Sequence, residues 1–175
     1  IDLCPLPVYD QASDLKARAE FANQGKADYF VSIHTNAANL AAAHGTETHI
    51  YPKSVRGRAL AERIQNAAIL ALGTADRGIK ESDFAVLRLT DMPAVLIEIA
   101  FHTNPAEEAL LKNPAFLRKA GEAIAIGIIK HLGLPQPSIR PELEENDMDE
   151  ILESLRNKVK ILEDKLARIG AIIKE

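Results

Sequence analysis

The 175-residue chain is poor in several of the residues that announce a function. It has one cysteine, Cys4, which excludes an internal disulfide framework and a cysteine-rich zinc module. It has no tryptophan and only 5% aromatic residues, so aliphatic side chains must build its core. It has no basic excess: 21 Lys and Arg stand against 25 Asp and Glu, a formal charge of −4, which argues against a general nucleic-acid binder. It has no long apolar run either. The longest candidate, residues 123–129, is bounded by Glu122 and Lys130 and falls far short of a membrane span. No charged segment followed by an apolar one opens the chain, so no signal peptide is visible. The first residue, Ile1, is not an initiator.

What is present suffices for one ordinary domain and a remainder. Hydrophobic residues make up 47% of the chain and charged residues 26%, a balance that favours folding over disorder. Three prolines, Pro135, Pro137 and Pro141, mark a linker, and the acidic Glu142, Glu144, Glu145 and Asp147 follow. Three segments are therefore expected: a domain over 1–134, a Pro/acidic linker over 135–147 and a helix over 148–175. In the helix, Met148, Leu152, Leu155, Val159, Leu162, Leu166, Ile169 and Ile173 alternate in steps of four and three. That is the a/d spacing of a coiled-coil seam, and it predicts self-association through 148–175. The acidity lies in this tail: residues 1–142 hold 15 basic and 16 acidic side chains, residues 143–175 hold 6 and 9.

Within 1–134, apolar strands alternate with amphipathic helices. Helices are expected over 14–24, 54–72 and 115–132, the second capped by Ser54 and stopped by Gly73. On the first, Leu15, Phe21 and Ala22 lie near one face. Strands are expected over 27–33 (fully buried), 46–51, 84–88 and 94–99. This order predicts an α/β fold with a mostly parallel sheet covered by helices on both faces.

Sites in open α/β sheets form at the carboxyl ends of strands. Two expected strands carry a polar residue there that does not belong in a core: His34 after Val31-Ser32-Ile33, and Glu98 after Val95-Leu96-Ile97. A lone strand-end histidine is commonly a satisfied hydrogen-bonding residue. A glutamate inside an apolar strand is harder to dismiss, because burying an unpaired carboxylate is costly. Together they suit metal-assisted hydrolysis, with histidine as ligand and glutamate as proton carrier.

At these residues the chain resembles the zinc-dependent N-acetylmuramoyl-L-alanine amidases. Ser32-Ile33-His34-Thr35-Asn36-Ala37 is similar to that family's S-I-H-x-N-A signature. Leu15 to Arg18 with Ala22-Asn23 resembles the helix before it, and Gly45-Thr46-Glu47 the G-x-E segment after it. Arg77-Gly78-Ile79-Lys80 with Val86-Leu87-Arg88 resembles the R-G-[VI]-K…VLR block. Pro93-Ala94-Val95-Leu96-Ile97-Glu98, with Phe101 and Asn104, resembles the P-A-V-L-x-E…N block, with Ala100 where glycine is usual. The matches run in order from residue 15 to about 130.

The resemblance implies cleavage of the amide between N-acetylmuramic acid and the L-alanine of the peptidoglycan stem peptide. It implies one Zn2+ ion, His34 as a ligand and Glu98 as the catalytic general base and acid. Asn36 and Arg88 match positions near the substrate cleft, and Glu47 reads as structural. Peptidoglycan as partner places the protein in the cell envelope or outside the cell. The family's other two zinc ligands, a histidine in a G-H-G-G loop and a glutamate, have no match. Residues 1–14 hold no histidine, and His44 lies in the G-x-E segment. The expectation is that the missing ligands lie upstream of Ile1, on an N-terminally truncated first strand. The competing readings are a metal-free wall-binding or oligomerisation module, and another zinc amidohydrolase acting on a different amide.

Overall fold

A computed structural model describes residues 11–135 together with Glu153 and Lys160. The chain separates into two units, residues 1–136 and 137–175. The heptad over 148–175 lies outside the described residues except for those two positions. Among the described residues no helix is long and apolar enough to cross a membrane.

The first unit runs α1 (Gln11–Gln24), β1 (Phe30–Asn36), β2 (Thr46–Ile50), α2 (Val55–Leu72), β3 (Asp76–Glu81), α3 (Ala85–Arg88), β4 (Ala94–Phe101), α4 (Pro105–Leu111) and α5 (Pro114–His131). The four strands form one sheet in the order β1-β4-β2-β3. β1 pairs parallel with β4 and β2 parallel with β3, while β2 and β4 are antiparallel. The sheet is thus mostly parallel, as expected, with one antiparallel seam at its centre.

Alternation along β4 divides the core. Val95, Ile97 and Ile99 face one side and pack with Leu60, Ala61, Ile64 and Ala68 of α2 and with Ala120 and Ile124 of α5. Ala94 and Leu96 face the other side and pack with Val86 and Leu87 of α3, Leu15 of α1 and Phe30. Gly127 is what lets α5 lie close on α2: a Cβ there would stand 2.6 Å from the Ile64 Cα. Helix ends follow the caps written in the sequence. Ser54 accepts from the Gly57 N–H, and Gly73 closes α2 at φ 68°.

Gln65 interrupts the apolar stripe of α2 for a local reason. It accepts from Thr48 Oγ1 at 2.7 Å and donates to the Thr46 carbonyl at 2.9 Å and to Asp76 at 2.7 Å. That satisfies the polar groups of β2, whose five residues are all buried.

Several sequence expectations are corrected. Residues 84–88 are not a strand: Phe84 caps the short helix α3, and the edge strand is β3 at Asp76–Glu81. Four charged residues in β3 hide its pattern, since an edge strand need not be apolar. β1 begins at Phe30, three residues later than expected, and among the described residues it lies at an edge of the sheet, with Ile33 55% exposed. Phe21 points largely to solvent, and Ala19 supplies the buried contact of α1. β4 continues to Phe101, so Glu98 sits inside the strand. α4 is an additional helix, started by Asn104 and Pro105.

Candidate active site

The register of the sheet assembles the site. His34 of β1 lies opposite Glu98 of β4, and Glu98 lies opposite Glu47 of β2. The three form one cross-strand row, with neighbouring strands roughly 4.8 Å apart. By alternation the row shares the sheet face of Leu96, the face covered by α1 and α3. Arg18 and Phe21 of α1 line a cleft of about 280 Å³ together with His34 at one end of the row.

The two carboxylates in the row are treated oppositely. Glu47 is buried, and burial by itself would push its carboxyl up. Hydrogen bonds from Arg77 and Asn36 and the charge of Arg77 outweigh that and hold it below the usual carboxylate range. Its Oε1 accepts from Asn36 Nδ2 at 2.7 Å and its Oε2 from Arg77 Nε at 2.8 Å. The Arg77 guanidinium in turn lies 4.9 Å from the Phe101 ring centroid. Glu98 has no such support. Its Oε2 is buried and has no hydrogen-bond partner. Burial first, and the negative charge of Glu47 second, push its carboxyl up to about 7.

The histidines beside them are held neutral. His34 is exposed at the sheet edge, yet enough of its ring is covered that burial, and then the charge of Arg18, lower its pKa. Its Nε2 lies 3.0 Å from Ser32 Oγ. His49 Nε2 is 3.3 Å from Glu47. Burial outweighs that attraction and lowers the His49 pKa, so the contact is a hydrogen bond rather than an ion pair.

The sequence-predicted residues divide accordingly. His34 and Glu98 are neighbours. Asn36 joins them indirectly: its amide nitrogen binds Glu47 and its carbonyl oxygen accepts from the Ala37 N–H. Arg88 stands elsewhere. It pairs with Asp83 and lines a cavity of about 330 Å³ with Tyr51, Ser54, Asp91 and Ala94. Ala94 is four residues before Glu98, roughly 13 Å along β4. Glu47, read from the sequence as structural, and Arg77, given no role, turn out to be the groups that shape the row. The available signal was that a glutamate in a wholly buried strand needs a cation.

Residues 7–130 match the family model described as N-acetylmuramoyl-L-alanine amidase. The chain belongs to that family. The amidase segment is 41% identical over 133 residues to an uncharacterized cell wall amidase of Bacillus anthracis, covering 71% of this chain and 25% of that protein. It is 36% identical over 132 residues to the N-acetylmuramoyl-L-alanine amidase LytC of Bacillus subtilis, covering 72% and 27%. The chain therefore spans about a quarter of the length of these two relatives. Among solved structures, the catalytic domain of the amidase CwlV from Bacillus (Paenibacillus) polymyxa superimposes with a TM-score of 0.66 at 38% identity, covering 69% of this chain and 66% of that one. An N-acetylmuramoyl-L-alanine amidase of Clostridium difficile gives a TM-score of 0.66 at 40% identity, covering 68% and 65%.

The row offers less to a metal than the resemblance implies. Among the described residues no group of three or more His, Cys, Asp or Glu side chains is placed to hold an ion. The row supplies one neutral imidazole, His34, and a catalytic zinc generally needs three protein ligands. The described residues on their own do not fit a zinc ion.

Proposed function

We propose that this chain belongs to a peptidoglycan hydrolase that cleaves the amide between N-acetylmuramic acid and the L-alanine of the stem peptide. The reading rests on one observation above others: Glu98 has a buried, unpartnered carboxylate oxygen in an otherwise apolar strand, beside His34. A carboxylate poised near neutrality suits general base and acid work. As water attacks the amide carbon, Glu98 takes its proton, and as the C–N bond breaks it passes that proton to the departing alanine nitrogen. The braced charge of Glu47 keeps the proton on Glu98 from being held too weakly. Asn36 and Arg77 serve by holding Glu47 in place. Arg88, in its own cavity, would contact a more distant part of a polymeric substrate.

His34 is the residue of this chain that would hold the Zn2+ ion expected of the family. Zinc in such enzymes polarises a carbonyl and lowers the pKa of bound water. One histidine does not make that site, and no step is drawn through the metal. The substrate sets the location, the cell envelope or its exterior. Self-association through 148–175 stands on the heptad spacing.

The missing match to the family's other two zinc ligands, with no three-ligand group among the described residues, motivates a second reading, a wall-binding or oligomerisation module derived from an amidase. Purified peptidoglycan separates the two. The chain is incubated with it at high concentration, with and without added zinc, and new amino-terminal alanine is measured beside co-sedimentation. The hydrolase reading expects alanine release that zinc increases and that Glu98→Gln removes. Release that survives Glu98→Gln overturns the assigned role of Glu98. Binding to the wall with no release under any condition supports the module.

A further inference from the structure

His49 and Ser82 extend the cross-strand row through an ordered chain of hydrogen bonds. His49 follows Glu47 by two residues on β2, so both project to the same face of the sheet. The imidazole is buried. Its Nε2 lies 3.3 Å from Glu47 Oε1, and its Nδ1 lies 2.7 Å from Ser82 Oγ. Ser82 comes directly after β3, and its N–H donates to the Ile50 carbonyl at 2.9 Å, which fixes it beside β2. The Phe84 ring packs against the imidazole with centroids 4.9 Å apart.

The positions of the protons follow from the acceptor end of the chain. Glu47 is ionised and can only accept. The His49 nitrogen facing it must therefore carry the hydrogen. His49 is neutral near pH 7, because burial outweighs the attraction of Glu47 and the charge of Lys80 also opposes protonation. A neutral imidazole has one donor and one acceptor nitrogen, so Nδ1 accepts and the Ser82 hydroxyl donates to it. The opposite tautomer would turn the lone pair of Nε2 toward the carboxylate and leave an acceptor unsatisfied in a buried place. Ser82 thus selects the tautomer. Glu47 Oε1 then receives Asn36 Nδ2 and His49 Nε2, and Oε2 receives Arg77.

The neutral form matters to the row. The groups around His49 are Glu47 of β2, Lys80 of β3, Ser82 and Phe84 of the connection to α3, and Leu96 of β4. With His49 neutral, Arg77 and Glu47 sum to zero charge, and Glu47 is the register partner of Glu98. An imidazolium would make the same group positive and draw the Glu47 carboxylate toward itself. We propose that His49 and Ser82 are positioning residues of the site: Ser82 holds His49 as the neutral Nε2–H tautomer, and that N–H orients the Glu47 carboxylate beside Glu98. Neither residue touches the reacting atoms. The hydrogen-bond order stands on geometry, while its bearing on turnover rests on the hydrolase reading.

Histidine-selective 15N NMR of the full chain tests the order, with the His49 signals assigned by their loss in His49→Gln. At neutral pH the expected spectrum shows a protonated Nε2 and a bare Nδ1. Ser82→Ala removes the donor and should raise the proton affinity of His49 by about three- to tenfold, the effect of one hydrogen bond. Ser82→Thr keeps a hydroxyl and should restore the wild-type signals. A proton on Nδ1 in the wild type, or an unchanged spectrum in Ser82→Ala, overturns the proposal. Alanine release from peptidoglycan in the presence of zinc, followed across pH, tests the bearing on turnover. Ser82→Ala should lower kcat with KM unchanged and move the acid limb of the profile upward in step with His49, and Ser82→Thr should recover both. Full turnover in Ser82→Ala beside shifted His49 signals overturns the positioning role. If the wild type releases no alanine, the hydrolase reading fails by itself, and the nitrogen spectra alone decide whether Ser82 holds His49 against Glu47.

Discussion

Glu98 of β4 stands between His34 of β1 and Glu47 of β2 in a single cross-strand row. One neighbour is a neutral imidazole and the other a carboxylate fixed by Arg77 and Asn36. The row explains why two glutamates on one face of one sheet have different fates. Glu47 has donors on both oxygens and stays ionised. Glu98 has an orphan oxygen and a negative neighbour, and so tends to keep its proton. Environments that push two carboxyl groups apart in this way are a common arrangement for acid–base chemistry.

The first prediction is a pH slope in stability. The folded-state pKa of Glu98 is raised to about 7, so between the ordinary carboxylate range and that value the native state binds more protons than the unfolded one. Stability owed to Glu98 is then full at the acid side and is lost as pH rises through about 7. His34 and His49, held neutral, act in the opposite direction on acidification. Glu98→Gln isolates the first effect. It should raise stability at pH 8 by about 1–2 kcal/mol, a figure discounted for the partial solvent contact of the group. Urea unfolding from pH 5 to 8 checks it, and an equal stability difference at every pH counts against it.

The second prediction concerns the brace. Arg77→Met leaves the buried Glu47 carboxylate without its cation and should cost about 1–3 kcal/mol. Adding Glu47→Gln removes the stranded charge, so the double variant should recover part of the loss. A coupling energy of about 1 kcal/mol or more is expected from the cycle. Strict additivity would show that the two side chains act independently.

Much of this fold was legible in the sequence because its elements obey local rules. The Ser54 cap, the Gly73 stop and the apolar run from Ala94 to Ile97 are local signals, and the structure keeps all three. Glu98 stood out because a carboxylate in that run conflicts with its surroundings. The errors came where tertiary context overrides pattern. β3 is charged because it is an edge, and 84–88 forms a helical turn despite residues that suit a strand. The Glu47–Arg77 pair joins strands 30 residues apart in sequence, and no periodicity carries such a pairing. The pairing of Arg88 with Asp83 beside a separate cavity is likewise a tertiary placement that its motif does not encode.

A third prediction contrasts two glycines of α5. Gly127→Ala would place a Cβ 2.6 Å from the Ile64 Cα and should destabilise by about 1–3 kcal/mol. Gly121→Ala meets nothing within 4 Å and should stabilise by about 0.5–1 kcal/mol through helix propensity. Thermal melts of the two single variants should therefore move in opposite directions. Shifts of the same sign would mean that α2 and α5 are not packed as closely as the glycine suggests.

The fourth prediction is weak zinc binding by the 175-residue chain. His34 is neutral near pH 7 and available as a donor, since burial and Arg18 both disfavour its protonation. Its neighbours do not complete a coordination set: among the described residues no group of three or more His, Cys, Asp or Glu side chains is placed to hold an ion, and Glu47 of the same row is engaged by Arg77 and Asn36. Glu98 tends to be protonated near neutrality, which weakens it further as an anionic donor. Affinity should therefore fall well below that of a three-ligand site, and His34→Ala should remove most of what remains. Elemental analysis after dialysis against metal-free buffer is the direct measurement. One zinc per chain surviving that dialysis would mean that ligands outside the described residues complete the site.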